Sequence, residues 1–171
     1  MTMTERAVLG VLAALDSAGI RVWLDGGWGV DALLGVQTRA HDDLDLVVDS
    51  AELPRVFAVL TSLGFRMDVD WLPTRAAFGA PDGRRVDLHP VSFDGDGTGW
   101  QARAGADGTD APYPKSEFVT GRVGDRVVGC TSARLQVAHH CGYEPGERDR
   151  ADMTRLAEVY TIALPDPYNT S

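Results

Sequence analysis

Residues 24–48, LDGGWGVDALLGVQTRAHDDLDLVV, restrict the possible folds more than any other stretch of this chain. Gly26 and Gly27 stand where a short apolar segment, 21–25, gives way to a helical pattern over 28–34 that ends at Gly35. Asp43 and Asp45 then sit in a run with Leu44, Leu46, Val47 and Val48, which predicts a strand over 43–49. Side chains alternate along a strand, so the two acids share one face and the leucines take the other. Carboxylates held side by side repel each other unless a cation lies between them, and an all-oxygen donor set favours Mg²⁺. The glycines lack side chains, so their backbone can approach a phosphate closely, backed by the free N–H groups of a helix start. Alone, a glycine pair reads as a tight turn. Followed by an acid pair, it is far more specific.

A site holding two metal ions for nucleotidyl transfer needs a third acid. Asp87 is the best candidate: in RVDLHP, 85–90, Val86 and Leu88 take the core face while Arg85, Asp87 and His89 share the other. Asp68 and Asp70 alternate near a loop without apolar neighbours on both sides, and read as solvated protection of a strand edge. Asp42 faces away from Asp43 and is excluded as a ligand. Asp31 reads as a structural partner of Arg39, and Asp25 is left unassigned.

The remaining pattern is helix at 4–18 with Thr4 as N-cap, helix at 51–63 with Pro54 in its first turn, and strands near 65–70, 74–80 and 84–91. Loops around one short strand are expected over 92–114, a hairpin turning near Gly124-Asp125 over 117–129, and helices at 131–142 and 147–163. This order predicts an α+β fold with a mixed or antiparallel sheet flanked by helices. A chain of 171 residues fits one domain, 1–171, with a catalytic core at 1–91 and a loop, hairpin and C-terminal helices at 92–171. Hydrophobic content of 44% and charge of 24% are those of a soluble globular protein. No apolar run reaches membrane-spanning length and the N-terminus lacks a signal-peptide pattern, so the expected address is cytoplasmic, with no membrane partner. Cys130 and Cys141 fit neither a disulfide framework nor a metal site, and read as buried small apolar residues. A net charge of −9 disfavours long nucleic acid as a partner and suits a small cationic one.

The segment GGWGVDALLG…TR…HDDLDL resembles the polymerase-β nucleotidyltransferase superfamily, marked by a Gly-Gly or Gly-Ser turn, an Asp-x-Asp strand and a later strand Asp. More narrowly, it is similar to the small antibiotic nucleotidyltransferases that modify lincosamides and aminoglycosides. YPKSEF at 113–118, the helix start Cys130-Thr131-Ser132-Ala133 and HHCGYEPGERDRADMTRLAEVY at 139–160 resemble the C-terminal half of those enzymes. The resemblance implies that Gly26, Gly27 and Trp28 line a nucleoside triphosphate, ATP or another. It implies that Asp43 and Asp45 hold Mg²⁺, with Asp87 as a further ligand or as the base for the attacking hydroxyl. Arg39 and His41 would neutralise phosphate charge. Larger relatives carry a long C-terminal helical domain that is missing here, which leaves room for a homodimer that completes the acceptor pocket.

Four residues are further candidates for substrate contact. His89 shares the Asp87 face, Lys115 and Glu117 flank Ser116, and Tyr143 precedes the last helix. Adjacent His139 and His140 lack the spacing of a helical zinc site. Asp149 and Asp152 read either as an acidic rim for a cationic molecule or as acids serving a helix N-terminus. The expected activity is transfer of a nucleoside monophosphate to a hydroxyl of a small cationic antibiotic. The alternatives are a protein acceptor, as in an antitoxin-type enzyme, a biosynthetic metabolite, or a binding module without turnover.

Overall fold

The computed structural model describes residues 2–105, 107–141 and 143–168. Helix α1 spans Glu5–Ser17, and the Thr4 hydroxyl caps it by accepting from the Ala7 N–H at 3.3 Å. Strand β1 (Val22–Asp25) runs directly into α2 (Gly26–Leu34), followed by β2 (Leu44–Asp49), α3 (Leu53–Ser62), β3 (Arg66–Trp71), β4 (Arg75–Gly79) and β5 (Arg85–Phe93). The region after β5 forms two short strands where one was expected, β6 (Gly99–Gln101) and β7 (Ala111–Tyr113). The expected hairpin is β8 (Phe118–Val123) with β9 (Arg126–Thr131), and α4 (Ala133–His139) and α5 (Glu147–Tyr160) follow.

The sheet runs in the order β3-β4-β5-β2-β1-β9-β8, with β6 bridging β5 and β7. It is mixed: β2 lies parallel to β5 and β1 parallel to β9, while the other pairs are antiparallel. Strands from both halves of the chain therefore share one sheet, with the β8–β9 hairpin added beside β1. Asp68 and Asp70 fall on the exposed edge strand β3, as their alternation predicted.

Alternation along the central strands sorts the two faces. Val22, Leu24, Leu44, Leu46, Val48, Val86 and Leu88 belong to the main core, which α1 and α3 complete with Val8, Leu12, Leu15, Val56 and Leu60. Val47 and Val91 take the opposite face with Tyr113 and Leu135. A third cluster, Val30, Ala133, Val137, Met153, Leu156 and Tyr168, fastens α4 and α5 to α2. Among the described residues, no helix is long and apolar enough to cross a membrane.

Candidate active site

Register places the acids. In the parallel β2–β5 pair Asp45 lies opposite Asp87, and in the antiparallel β1–β2 pair Asp25 lies opposite Asp45. Three carboxylates thus form a row across three strands, where like charges directly opposite destabilise a sheet. Asp43, just before β2, joins them from the side. Asp43, Asp45 and Asp87 each offer an oxygen within 4.8 Å of the others. Burial, and then the charges of Asp45 and Asp87, push the Asp43 pKa up. Such a crowded set of hard oxygens fits a divalent cation.

Basic and polar side chains offset part of this charge. Arg75 on β4 reaches Asp87 with two hydrogen bonds, Nε to Oδ1 at 3.1 Å and Nη2 to Oδ2, and its guanidinium lies over the Trp71 ring. His89 Nε2 lies 3.2 Å from Asp45 Oδ1. Asp25 is buried and accepts from the Thr131 hydroxyl at 2.7 Å. Burial opposes its ionisation, yet His139 at 3.9 Å, His89 and Thr131 outweigh that and hold its carboxyl at about 2.

The row opens onto a cleft of about 840 Å³ with Asp25, Gly26, Asp45 and His89 at its base. Its walls come from Gln101 and the β7 segment Ala111–Tyr113 on one side, and from Leu135, Ala138 and His139 on the other. A hollow of about 970 Å³ around the start of β1 holds none of the three carboxylates. The small cleft beside the charged row, rather than the roomier one, is where chemistry can occur.

The family described as aminoglycoside-2''-adenylyltransferase matches residues 7–156. The chain belongs to this family. It is a nucleotidyltransferase of the antibiotic-modifying kind. A lincosamide resistance protein of Staphylococcus haemolyticus is 31% identical over 157 residues, covering 92% of this chain and 96% of the relative. A 2''-aminoglycoside nucleotidyltransferase of Escherichia coli is 40% identical over 57 residues, about a third of each chain (33% and 32%). The crystal structure of the lincosamide antibiotic adenylyltransferase LnuA with lincomycin bound superposes with a TM-score of 0.83 at 30% identity, covering 93% of this chain and 99% of that one. The crystal structure of ANT(2'')-Ia with adenylyl-2''-tobramycin shares the fold, with a TM-score of 0.70 at 20% identity over 93% and 90% of the two chains.

The other residues singled out in this adenylyltransferase-family chain divide sharply. Gly26 and Gly27 form the first turn of α2, which begins at Gly26 rather than at residue 28. Gly26 has φ +53°, and a Cβ there would lie 2.3 Å from Asp45 Oδ2. A Cβ on Gly27 would lie 2.3 Å from His41 Nδ1. Trp28 and His41, expected along the triphosphate, are buried with their rings packed together, centroids 4.9 Å apart. His41 also pairs with Asp31, whose Oδ1 accepts from the Thr38 N–H and hydroxyl. These groups prop the glycine turn from behind. Arg39, expected on Asp31 or a phosphate, instead binds Asp152 on α5, Nη2 to Oδ2 at 2.7 Å. That pair and the Asp149 carboxylate, which accepts from the Gly146 N–H at 2.9 Å, use up the supposed acidic rim for helix anchoring and capping.

Lys115 lines the larger hollow and packs on Gly97, away from the carboxylates. Glu117 accepts from the Ser132 hydroxyl at the start of α4, and its carbonyl accepts from the Ser132 N–H at 2.8 Å, so it fixes that helix. Tyr143 is exposed, with its ring 6.4 Å from that of His140. Asp42 points outward to Arg148, outside the carboxylate cluster. Cys130 is buried, and burial raises its thiol to about 12, while Cys141 is only half-buried and borders the cleft. The sequence reading missed Arg75, Gln101 and the site role of Asp25, because each is defined by a partner on another strand.

Proposed function

We propose that this enzyme transfers a nucleoside monophosphate from a nucleoside triphosphate to a hydroxyl of a lincosamide-type antibiotic, acting as a single catalytic unit. The carrying observation is the convergence of Asp43, Asp45 and Asp87 beside a cleft lined by Asp45 and by Gly26, the first residue of α2. Asp43, Asp45 and Asp87 would hold Mg²⁺, which supplies positive charge beside the reacting phosphate and eases ionisation of a nearby hydroxyl. The N-terminal turn of α2 gives N–H groups for phosphate oxygens. Asp87 accepts the proton of the attacking hydroxyl as its oxygen bonds to the α-phosphorus and the bond to pyrophosphate breaks. Arg75 keeps both Asp87 oxygens aimed, and each retains a lone pair for this step.

Two observations favour a lincosamide over an aminoglycoside. Identity of 31% to the lincosamide resistance protein extends over 92% of the chain, whereas the 40% identity to the Escherichia coli 2''-aminoglycoside nucleotidyltransferase is confined to 33% of it. The cleft also has an apolar flank of Ala111, Pro112, Leu135 and Ala138, which suits a molecule with one amine and a hydrocarbon substituent better than a polyammonium sugar. The test is pyrophosphate release with each NTP and Mg²⁺ against lincomycin and tobramycin. Release that requires lincomycin supports the reading, release with tobramycin alone reassigns the acceptor, and no release with either overturns it.

A further inference from the structure

A chain of hydrogen bonds that starts in the cleft wall ends on the carboxylate cluster. The Tyr113 hydroxyl donates to Gln101 Oε1 at 2.8 Å. Gln101 Nε2 donates to the Thr74 carbonyl oxygen at 2.8 Å and also faces His89 Nδ1 at 3.3 Å. His89 Nε2 in turn faces Asp45 Oδ1 at 3.2 Å. Both Gln101 and Tyr113 are buried, which favours a fixed geometry for this chain of groups.

The proton positions follow from the partners. A carbonyl oxygen only accepts, so Thr74 fixes which end of the Gln101 amide carries hydrogens, and the tyrosine hydroxyl at the other end agrees. An NH₂ group facing His89 Nδ1 makes that nitrogen an acceptor. The ring proton then resides on Nε2 and points at Asp45. Both ring nitrogens are thus engaged within the protein.

We propose that His89 is a positioning residue, held by Gln101 and Tyr113 as the Nε2–H tautomer so that it fixes the Asp45 carboxylate at the metal seat. The inference rests on the reading of Asp43, Asp45 and Asp87 as that seat. Gln101 steadies a second carboxylate as well, because Thr74 immediately precedes Arg75, which grips Asp87. One buried amide thus ties the β6–β7 wall of the cleft to two of the three acids. Partners of this kind orient metal ligands, and their loss typically lowers metal affinity about 10–100-fold.

Two measurements test it. Nitrogen-15 NMR of the metal-free protein, with its 4 histidines labelled, identifies His89 by the signal lost in His89→Gln. The expected spectrum at mildly alkaline pH is the neutral Nε2–H tautomer, changed by Gln101→Leu; the Nδ1–H tautomer overturns the proposal. Mn²⁺ titration of the whole protein gives the second. His89→Leu and Gln101→Leu are expected to weaken binding about tenfold, and Tyr113→Phe, which keeps the core filled, by a few-fold. His89→Gln, with an amide donor in place of Nε2, is expected to stay near wild type. Equal affinity in wild type and His89→Leu overturns the proposal. Failure of the wild type itself to bind Mn²⁺ counts against the metal seat, and the metal-free spectrum then decides the relay by itself.

Discussion

Asp43 shows what crowding does to a carboxylate. Burial and the neighbouring Asp45 and Asp87 raise its pKa, so above the ordinary carboxylate value the folded protein binds more protons than the unfolded chain. Stability is then lost as pH rises from the ordinary value through the raised one. Asp43→Asn is expected to melt about 1–3 °C above wild type in metal-free neutral buffer, a gain kept small by solvent screening and closing near about pH 4. The same variant is expected to lose at least about two orders of magnitude in transfer rate. Thermal melts and a pyrophosphate assay check both, and opposite signs for stability and activity are the signature of a charged site. Arg75→Met removes the only guanidinium on Asp87 among the described residues and is expected to cost about 1–3 kcal/mol, measured by urea unfolding. The three acids were legible because strand alternation fixes which way each points. Arg75, 12 residues from Asp87, was not, because its role exists only once β4 pairs with β5.

The join between β1 and α2 carries the site's tightest geometry. At Gly26 a side chain would be strained at φ +53° and would run into the Asp45 carboxylate. Gly26→Ala is therefore expected to displace that carboxylate and lower the rate about 10²-fold while far-ultraviolet circular dichroism stays unchanged. Retention of wild-type turnover would show that the turn and the acid do not touch. The sequence reading found the glycine pair but began the helix two residues late. The glycines are the helix's own first turn, and Asp25 occupies the N-cap position with its carboxylate on Thr131 rather than on the helix's own N–H groups. The extra strand over 92–114 was missed for a similar reason. β6 and β7 are three residues each; β6 pairs with the end of β5, and β7 pairs with β6.

The C-terminal half is joined to the glycine turn by contacts far apart in sequence. Arg39 binds Asp152, the Tyr160 hydroxyl donates to the Leu33 carbonyl at 2.7 Å, and the Val30–Met153 cluster lies between. Asp152 is buried, so Asp152→Ala is expected to cost about 2–4 kcal/mol in urea unfolding by stranding Arg39 and loosening α5. The α+β class was readable from element order, because local periodicity sets each element's type. The mixed character of the sheet was expected too, but the order of its strands was not, since the β2–β5 and β1–β9 pairs depend on which distant strands meet. The decisive measurement is mass spectrometry of lincomycin after incubation with ATP, Mg²⁺ and either the wild-type enzyme or Asp87→Asn. Lincomycin heavier by one nucleotidyl group (a nucleoside monophosphate less water) with the wild type, and at least about two orders of magnitude less of it with Asp87→Asn, is the expected result. Equal modification by both proteins would contradict the assignment of the transfer to these carboxylates.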